Sequence, residues 1–387
     1  MQDVFDKLHE QSCNNYKFRD LMQHISSEEN ILLAYRNIKK NKGSTTVGTD
    51  KLDITHYKDM NKEKFVNYIQ NKFNNYSPKS VKRVEIPKSN GKSRPLGIPC
   101  MDDRIIQQCI KQVLEPICEA KFHKHSYGFR PNRSTDHAIA RCMSLMNINK
   151  LHYAVDIDIK GFFDNVNHAK LKKQLWNMGI QDKNLISIIG KILKSEILGT
   201  GIPTKGTPQG GIISPLLSNI VLNELDWWIS SQWETFETKF KFKYTGDKYC
   251  ATKRTNLKEI WLVRYADDFK IFCRDYKTAQ KIYNATKQWL KERLDLNISP
   301  DKSKITNVRK NRTEFLGFAL KVKPKRNKYV CQSNMSDKAK KNTINKIKDQ
   351  IKTIQKDCNS KEVSKLNSII LGSHNYFNSA TNVNKDF

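Results

Sequence analysis

The stretch Leu262-Val-Arg-Tyr-Ala-Asp-Asp-Phe-Lys-Ile-Phe-Cys273 sets two short β-prone runs, 262–265 and 269–273, on either side of Ala266-Asp267-Asp268. Small and acidic residues between two apolar runs predict a hairpin whose bend exposes adjacent carboxylates. Upstream, Tyr153-Ala-Val-Asp-Ile-Asp-Ile159 alternates in the manner of a strand. That period puts Asp156 and Asp158 on one face and Val155, Ile157 and Ile159 on the other. Two carboxylates on one strand face need a reason, because desolvating them is costly unless they hold something.

Working outward, Arg83-Val-Glu-Ile86 and Arg94-Pro-Leu-Gly-Ile98 read as two extended segments joined through Lys88-Ser-Asn90-Gly91. Asn-Gly is a strong turn signal, so a hairpin with a basic tip is expected. Ile105, Ile106, Cys109, Ile110, Val113 and Leu114 recur at helical spacing within 103–118, as do Ile31, Leu32, Ala34, Tyr35 and Ile38 within 28–40. Both are amphipathic helices, the second stopped by the Asn41-Lys42-Gly43 segment. The segment 227–261 is aromatic and basic without a clear period and reads as an insertion. From Lys321 to Lys365 there are 14 Lys/Arg against 4 Asp/Glu, while Ile344, Ile347, Ile351 and Ile354 keep helical spacing, so a basic helical module is expected there. No fixed-period repeat and no Gly/Ser- or Pro-rich linker divides the chain.

The chain has 387 residues, enough for two or three packed subdomains around a buried core. Lys+Arg outnumber Asp+Glu by 69 to 39, a formal charge of +30. Such a surface repels itself unless an anionic partner neutralises it, which points to nucleic acid. The nine cysteines form no Cys-x-x-Cys pair and no zinc-finger spacing, so reduced thiols in a cytosol-like compartment are expected. His123 and His125 flank Lys124 without carboxylates at ligand spacing and read as structural or RNA-facing. The N-terminus has no apolar signal core and no window approaches 18 apolar residues, so a soluble, non-secreted protein is expected.

Hard Mg²⁺ prefers a few carboxylates and keeps waters and phosphate oxygens, and Asp158, Asp267 and Asp268 could supply such ligands. An Asp-Asp turn alone is a weak signal, since Asp commonly caps or solvates turns. Its context is more specific. Arg264-Tyr-Ala-Asp-Asp-Phe269, Asp156-Ile-Asp-Ile-Lys-Gly-Phe-Phe-Asp164 and Gly206-Thr-Pro-Gln-Gly-Gly-Ile-Ile-Ser-Pro215 resemble reverse-transcriptase motifs C, A and B. With Arg94-Pro-Leu-Gly-Ile-Pro99, Ser126-Tyr-Gly-Phe-Arg-Pro-Asn-Arg-Ser134 and Leu216-Leu-Ser-Asn-Ile-Val-Leu-Asn-Glu-Leu-Asp226, the pattern is similar to the group II intron reverse transcriptases. The resemblance runs from about Glu28 through Phe315-Leu-Gly-Phe318 and continues weakly to Leu366–Phe377.

The resemblance implies that Asp158, Asp267 and the backbone carbonyl of Ile159 hold two Mg²⁺ ions with Asp268 alongside, Asp156 being the impostor. It implies that Phe163 is the bulky gate against a ribose 2′-hydroxyl and that Lys88 and Arg94 grip the incoming triphosphate. Gln209 would lie under the nucleotide. Lys302 would protonate the leaving pyrophosphate, with Lys304 close enough to keep that assignment open. Lys42, Arg130 and Arg133 match template-contacting positions.

The implied fold is α+β, a right-hand polymerase with fingers, a palm built on an antiparallel sheet and a helical thumb. Residues 1–80 would form an N-terminal extension and the start of the fingers, and 81–150 the fingers. Residues 151–320 would be the palm, with its insertion at about 227–261, and 321–387 a partial thumb or maturase region. The implied function is RNA-directed DNA polymerisation, copying intron RNA into cDNA during retrohoming by two-metal nucleotidyl transfer, with intron binding and splicing assistance. Partners would be group II intron RNA, an RNA template with a DNA primer, dNTPs and a DNA target, in the bacterial cytosol or nucleoid and without a membrane. Two alternatives are a splicing cofactor lacking polymerase activity and a domesticated reverse transcriptase in phage defence. Many relatives continue into an endonuclease region, whereas this chain ends at Phe387, so target-strand cleavage by it is not expected.

Overall fold

The computed structural model describes residues 1–87, 93–208 and 210–386. The chain divides into two units, each assembled from three separated segments.

The first unit comprises Met1–Lys124, Ile159–Leu225 and Trp289–Asn297. Its core is the helix Met101–Glu119, along which Ile105, Ile106, Cys109, Ile110, Val113, Leu114 and Ile117 are each at most 1% exposed. The helices Gln2–Cys13 and Glu28–Lys39 pack against it. Truncating one such isoleucine to alanine would cost on the order of 2–5 kcal/mol, because the surrounding helices cannot fully collapse into the gap. A buried polar seam fixes the register of this packing: Asn30 donates to the Cys109 carbonyl (3.1 Å) and accepts from Gln112 Nε2 (2.7 Å). Asp102 and Asp103 occupy the first helical turn, where the macrodipole favours negative charge. Tyr57 and Tyr68 donate their hydroxyls to Asp102, and Tyr76 donates to Asp103 (2.9 Å). Desolvation nevertheless pushes the Asp103 carboxyl up to about 6. Strands β1 (Lys82–Pro87) and β2 (Ser93–Ile98) pair antiparallel from Lys82↔Ile98 to Pro87↔Ser93. The expected Asn90-Gly91 turn between them lies outside the described residues.

The second unit comprises His125–Asp158, Asp226–Gln288 and Ile298–Phe387. Its sheet contains β3 (Tyr153–Ile157), β4 (Ile260–Tyr265), β5 (Asp268–Cys273) and β6 (Lys304–Asn307), in the order β4-β5-β3-β6 with every neighbour antiparallel. The strand expected over 153–159 ends two residues early. Asp158 leaves the ladder because its N–H donates to Ser303 Oγ (3.1 Å) while its carbonyl accepts from Ser299 N (2.7 Å).

A second sheet, β7 (Thr313–Phe315), β8 (Phe318–Lys325) and β9 (Lys328–Met335), corrects the reading of 321–365 as helical throughout. The helical part begins only at Asp337, with helices Asp337–Lys356 and Ser360–Phe377. Leu320 and Val322 point inward while Lys323 and Lys325 point out, so strand alternation rather than helical period governs that lysine-rich run. The segment 227–261 also has structure: the helix Ser214–Ser231 reaches into it, the helix Thr245–Thr252 follows a loop, and β4 begins at Ile260. Helices and antiparallel sheets together make the fold α+β. Among the described residues, no helix is long and apolar enough to cross a membrane.

Candidate active site

The turn between β4 and β5 consists of Ala266 and Asp267, with Tyr265 opposite Asp268. Ala266 adopts φ +58°, a region that normally favours glycine and costs other residues roughly 1–2 kcal/mol. Its neighbours hold it there. Arg264, wholly buried, donates from Nη1 to the Ala266 carbonyl (2.7 Å) and makes a two-pronged pair with Asp226, from Nε (2.7 Å) and Nη2 (2.6 Å). A buried bidentate pair of this kind fixes orientation as well as charge.

The Ser126-Tyr-Gly-Phe motif forms the other wall of this turn. Tyr127 N donates to the Arg264 carbonyl (2.8 Å) and Arg264 N donates to the His125 carbonyl (3.0 Å). Gly128 comes so close that a Cβ there would meet Ala266 N at 2.3 Å, which is why no larger residue fits. Arg130 is 7% exposed and donates to the Ser126 carbonyl (2.9 Å), bracing its own motif. Arg133 stands over the Tyr127 ring, 5.7 Å from its centroid.

Asp156, Asp158, Asp267 and Asp268 line one groove of about 460 Å³ together with Lys270, Lys302, Lys304, Glu314 and the turn at Leu316-Gly317. The four carboxylates are not equivalent. Asp156 faces Lys270 across the ladder, pairs with its ammonium, and also accepts from Thr313 Oγ1 (3.0 Å). Lys270 is 1% exposed and lies over the Phe315 ring, so Asp156 is consumed in neutralising a buried cation. Asp158, freed from the ladder, faces Lys302 Nζ at 3.3 Å. Lys302 thus stands nearer this carboxylate than β-strand Lys304, whose backbone is paired with Asp156.

Asp268 opens toward solvent but is set among protein atoms and three other acids. Desolvation, with Asp156, Asp267 and Asp158 adding to it against the pull of Lys270, pushes its carboxyl up to about 6. Among the described residues, no three His, Cys, Asp or Glu side chains converge into a preformed metal cage. An open groove with oxygen donors only suits Mg²⁺, which fills much of its shell with water and phosphate oxygens.

The first unit brings together another set. Phe163 is half-buried, edge-on to buried Phe162 (centroids 5.4 Å apart). Its carbonyl accepts from Thr207 N (2.7 Å), and a Cβ on Gly206 would sit 3.0 Å from that same carbonyl. Gly210, at φ +109°, presses against β2, where a Cβ would meet the Gly97 carbonyl at 2.3 Å. The Gly206–Gly211 loop therefore needs its glycines to touch both the Phe163 segment and β2. Asp164, Arg83, Pro95, Leu96, Gly97, Gly206, Thr207 and Pro208 border a cavity of about 280 Å³ there. Lys88, Gln209 and the Arg94 side chain lie outside the described residues. Buried Ile159 belongs to this unit, as does Lys42, which is exposed at the start of a short 3-10 turn.

The sequence reading missed Lys270, Asp226 and Arg264 as site-building residues. The available signal was a lysine between Phe269 and Ile271 on a strand, on the same face as Asp268.

A family model for reverse transcriptase (RNA-dependent DNA polymerase) matches residues 86–320. The chain is 36% identical over 259 residues to Protein YkfC of Escherichia coli (strain K12), covering 63% of this chain and 68% of that protein. It is 32% identical over 372 residues to Group II intron-encoded protein LtrA of Lactococcus lactis subsp. cremoris, covering 85% of this chain and 60% of LtrA. To the Putative COX1/OXI3 intron 2 protein of Saccharomyces cerevisiae it is 29% identical over 344 residues, which is 79% of this chain and 39% of that protein. The chain thus spans about three fifths of LtrA and two fifths of the yeast intron protein.

Proposed function

The chain belongs to the reverse transcriptase (RNA-dependent DNA polymerase) family, and from that premise we propose that it is the polymerase of a group II intron, copying intron RNA into cDNA during retrohoming. The observation that carries the reading is the division of labour in the acidic groove: Asp156 is neutralised by Lys270, while Asp158, Asp267 and Asp268 share the remaining space.

Two Mg²⁺ ions held by Asp158, Asp267 and the Ile159 carbonyl, with Asp268 alongside, would activate the primer hydroxyl and offset charge developing on the triphosphate. The rest falls to the chain. Arg264, Asp226 and Gly128 keep the Asp267-Asp268 turn in one conformation, so the donors need not reorganise when substrate arrives. Lys302 delivers a proton to the departing pyrophosphate. Phe163, fixed through its carbonyl by Thr207, crowds a ribose 2′-hydroxyl. Lys88 and Arg94 bind the triphosphate and Gln209 supports the nucleotide, while Lys42, Arg130 and Arg133 contact the template, Arg130 also bracing its own motif.

In this reading the four-stranded sheet is the palm, the β1–β2 hairpin and neighbouring helices are fingers, and the helices after Asp337 are thumb. The boundaries follow 1–80, 81–150, 151–320 and 321–387. The protein works in the bacterial cytosol on intron RNA, an RNA template with DNA primer, dNTPs and a DNA target, and assists splicing. Primer extension on an RNA template with dNTPs and Mg²⁺ tests it, comparing the intact chain with an Asp267→Asn, Asp268→Asn variant and an rNTP control. Extension by the intact chain, lost in the variant and absent with rNTPs, is expected. Tight RNA binding without extension by the intact chain would overturn the polymerase reading in favour of a splicing cofactor.

A further inference from the structure

The segment Lys239-Phe240-Lys241-Phe242-Lys243-Tyr244 alternates cation and ring without exception. It lies in the loop between the helices Ser214–Ser231 and Thr245–Thr252, and none of its residues borders the acidic groove. Phe240 is 68% exposed and Tyr244 61%, unusual for rings this large. The rings are organised: Phe240 meets Phe242 edge-to-face at 4.9 Å, and Lys243 Nζ stands 5.3 Å from the Tyr244 centroid. Across 236–254 there are six Lys/Arg and two acids, Glu237 and Asp247, a net of +4. Among the described residues, no carboxylate pairs with Lys239, Lys241 or Lys243.

The loop is anchored at both ends. Trp233, 1% exposed, stacks on Tyr249 at 6.4 Å, and Tyr249 meets Trp261 at 5.3 Å. Glu234 is buried beside His125 Nε2 at 3.3 Å. The exposed rings are therefore presented from a fixed base. That base touches β4 at Trp261, four residues before Tyr265, so it stands roughly 13 Å along the strand from the catalytic turn.

Exposed aromatics favour a stacking partner, and interleaved unpaired lysines demand an anionic one. A protein interface would deplete lysine at its centre. Bases offer faces to rings and phosphates to ammonium groups at once, a combination that binds single strands without sequence preference. We infer that Phe240, Phe242 and Tyr244, with Lys239, Lys241 and Lys243, form a binding surface for unpaired RNA separate from the polymerisation groove. The inference rests on membership of an RNA-copying family and not on the roles given to the aspartates.

The test uses the full chain, with its groove saturated by a preformed RNA–DNA primer–template, and measures anisotropy of an added fluorescent oligo-uridine 12-mer. Phe240→Ala, Tyr244→Ala should weaken 12-mer binding about tenfold or more with the salt slope retained. Lys239→Gln, Lys241→Gln, Lys243→Gln should lower that slope by about 2, the value for three phosphates on a single strand. Extension of the preformed duplex should be unchanged in both variants, which separates this surface from the catalytic reading and shows that they fold. Photocrosslinks from 4-thiouridine in the 12-mer should map to 236–249. Unchanged RNA affinity in both variants would overturn the inference. So would a loss confined to oligo-deoxythymidine or to phosphatidylglycerol vesicles.

Discussion

Replacing Gly128 by alanine tests whether the Ser126-Tyr-Gly-Phe motif sets the position of the Asp267 and Asp268 carboxylates, to which the proposed function assigns the metals. The added Cβ would lie 2.3 Å from Ala266 N and 2.9 Å from the Tyr265 carbonyl carbon, against 3.4 Å for an ordinary contact. The deficit is about 1 Å, and it falls on backbone rather than on a side chain that could swing away. Arg264 holds the Ala266 carbonyl at 2.7 Å and is itself held by Asp226, so the turn cannot retreat without breaking buried bonds. A misplacement of about 1 Å typically lowers a positioned reaction roughly 100-fold, equivalent to ~2.7 kcal/mol of transition-state stabilisation. Overpacking would also cost on the order of 1–3 kcal/mol of stability. Single-nucleotide incorporation on a preformed primer–template, measured beside urea unfolding, reads both quantities. Gly190→Ala is the control: it sits within the helix Lys183–Leu193 with its nearest neighbour at 4.0 Å and should be neutral or stabilising. Wild-type incorporation and wild-type stability in Gly128→Ala would refute the buttress.

Lys270→Met removes the cation that neutralises Asp156 and should destabilise the protein by about 3 kcal/mol, with part recovered in the Asp156→Asn, Lys270→Met double variant. Urea midpoints check it, and additive single effects would show that the two residues act independently. Asp103 is raised from 3.8 to about 6 in the folded protein, so the native state binds its proton more tightly than the unfolded chain does. Its contribution is therefore complete below about pH 4 and is lost as pH rises to about 6, by up to about 3 kcal/mol. Asp103→Asn should remove that decline, and parallel wild-type and variant profiles across this window would contradict it. Finally, RNA affinity should fall steeply and linearly in log–log form between about 50 and 200 mM salt, because each neutralised phosphate releases counterion. A flat dependence in filter binding would disprove an electrostatic interface.

Much of the architecture was legible where a local period settles the structure. Asp-Asp between two apolar runs marked the β4–β5 hairpin, and the isoleucine spacing after Met101 marked the central helix of the first unit. Local period failed at 318–335, where alternating lysines hide a hairpin turned by Arg326-Asn327, with Arg326 at φ +52°. It also ran two residues past the end of β3, because Asp158 is pulled from the ladder by Ser299 and Ser303, more than 140 positions away. The motif Ser126–Ser134 was recognisable, yet its work at Ala266 depends on a contact no spacing encodes. The difference between Asp156 and Asp158 became physical only when Lys270 was placed opposite the former. Likewise, Phe315-Leu-Gly-Phe318 and the end of the helix Ser360–Phe377 meet because Gly317, at φ +82°, leaves room for the Phe377 ring, while Tyr376 donates to the Leu316 carbonyl (3.1 Å).

The strand order β4-β5-β3-β6 has a consequence for how the chain is made. Strand β3 is central, yet both of its partners are encoded far downstream: about 110 residues separate Ile157 from Asp268, and β6 comes later still. At ribosomal speeds of about 5–20 residues per second, Val155 and Ile157 wait roughly 5–20 s after synthesis before the first partner emerges. The nascent chain must spend that interval with an open apolar edge, and the surplus of lysine carried along it supplies the repulsion that keeps two such edges from pairing with each other. The same positive charge that favours a nucleic-acid partner thus also opposes the pairing of two unfinished chains.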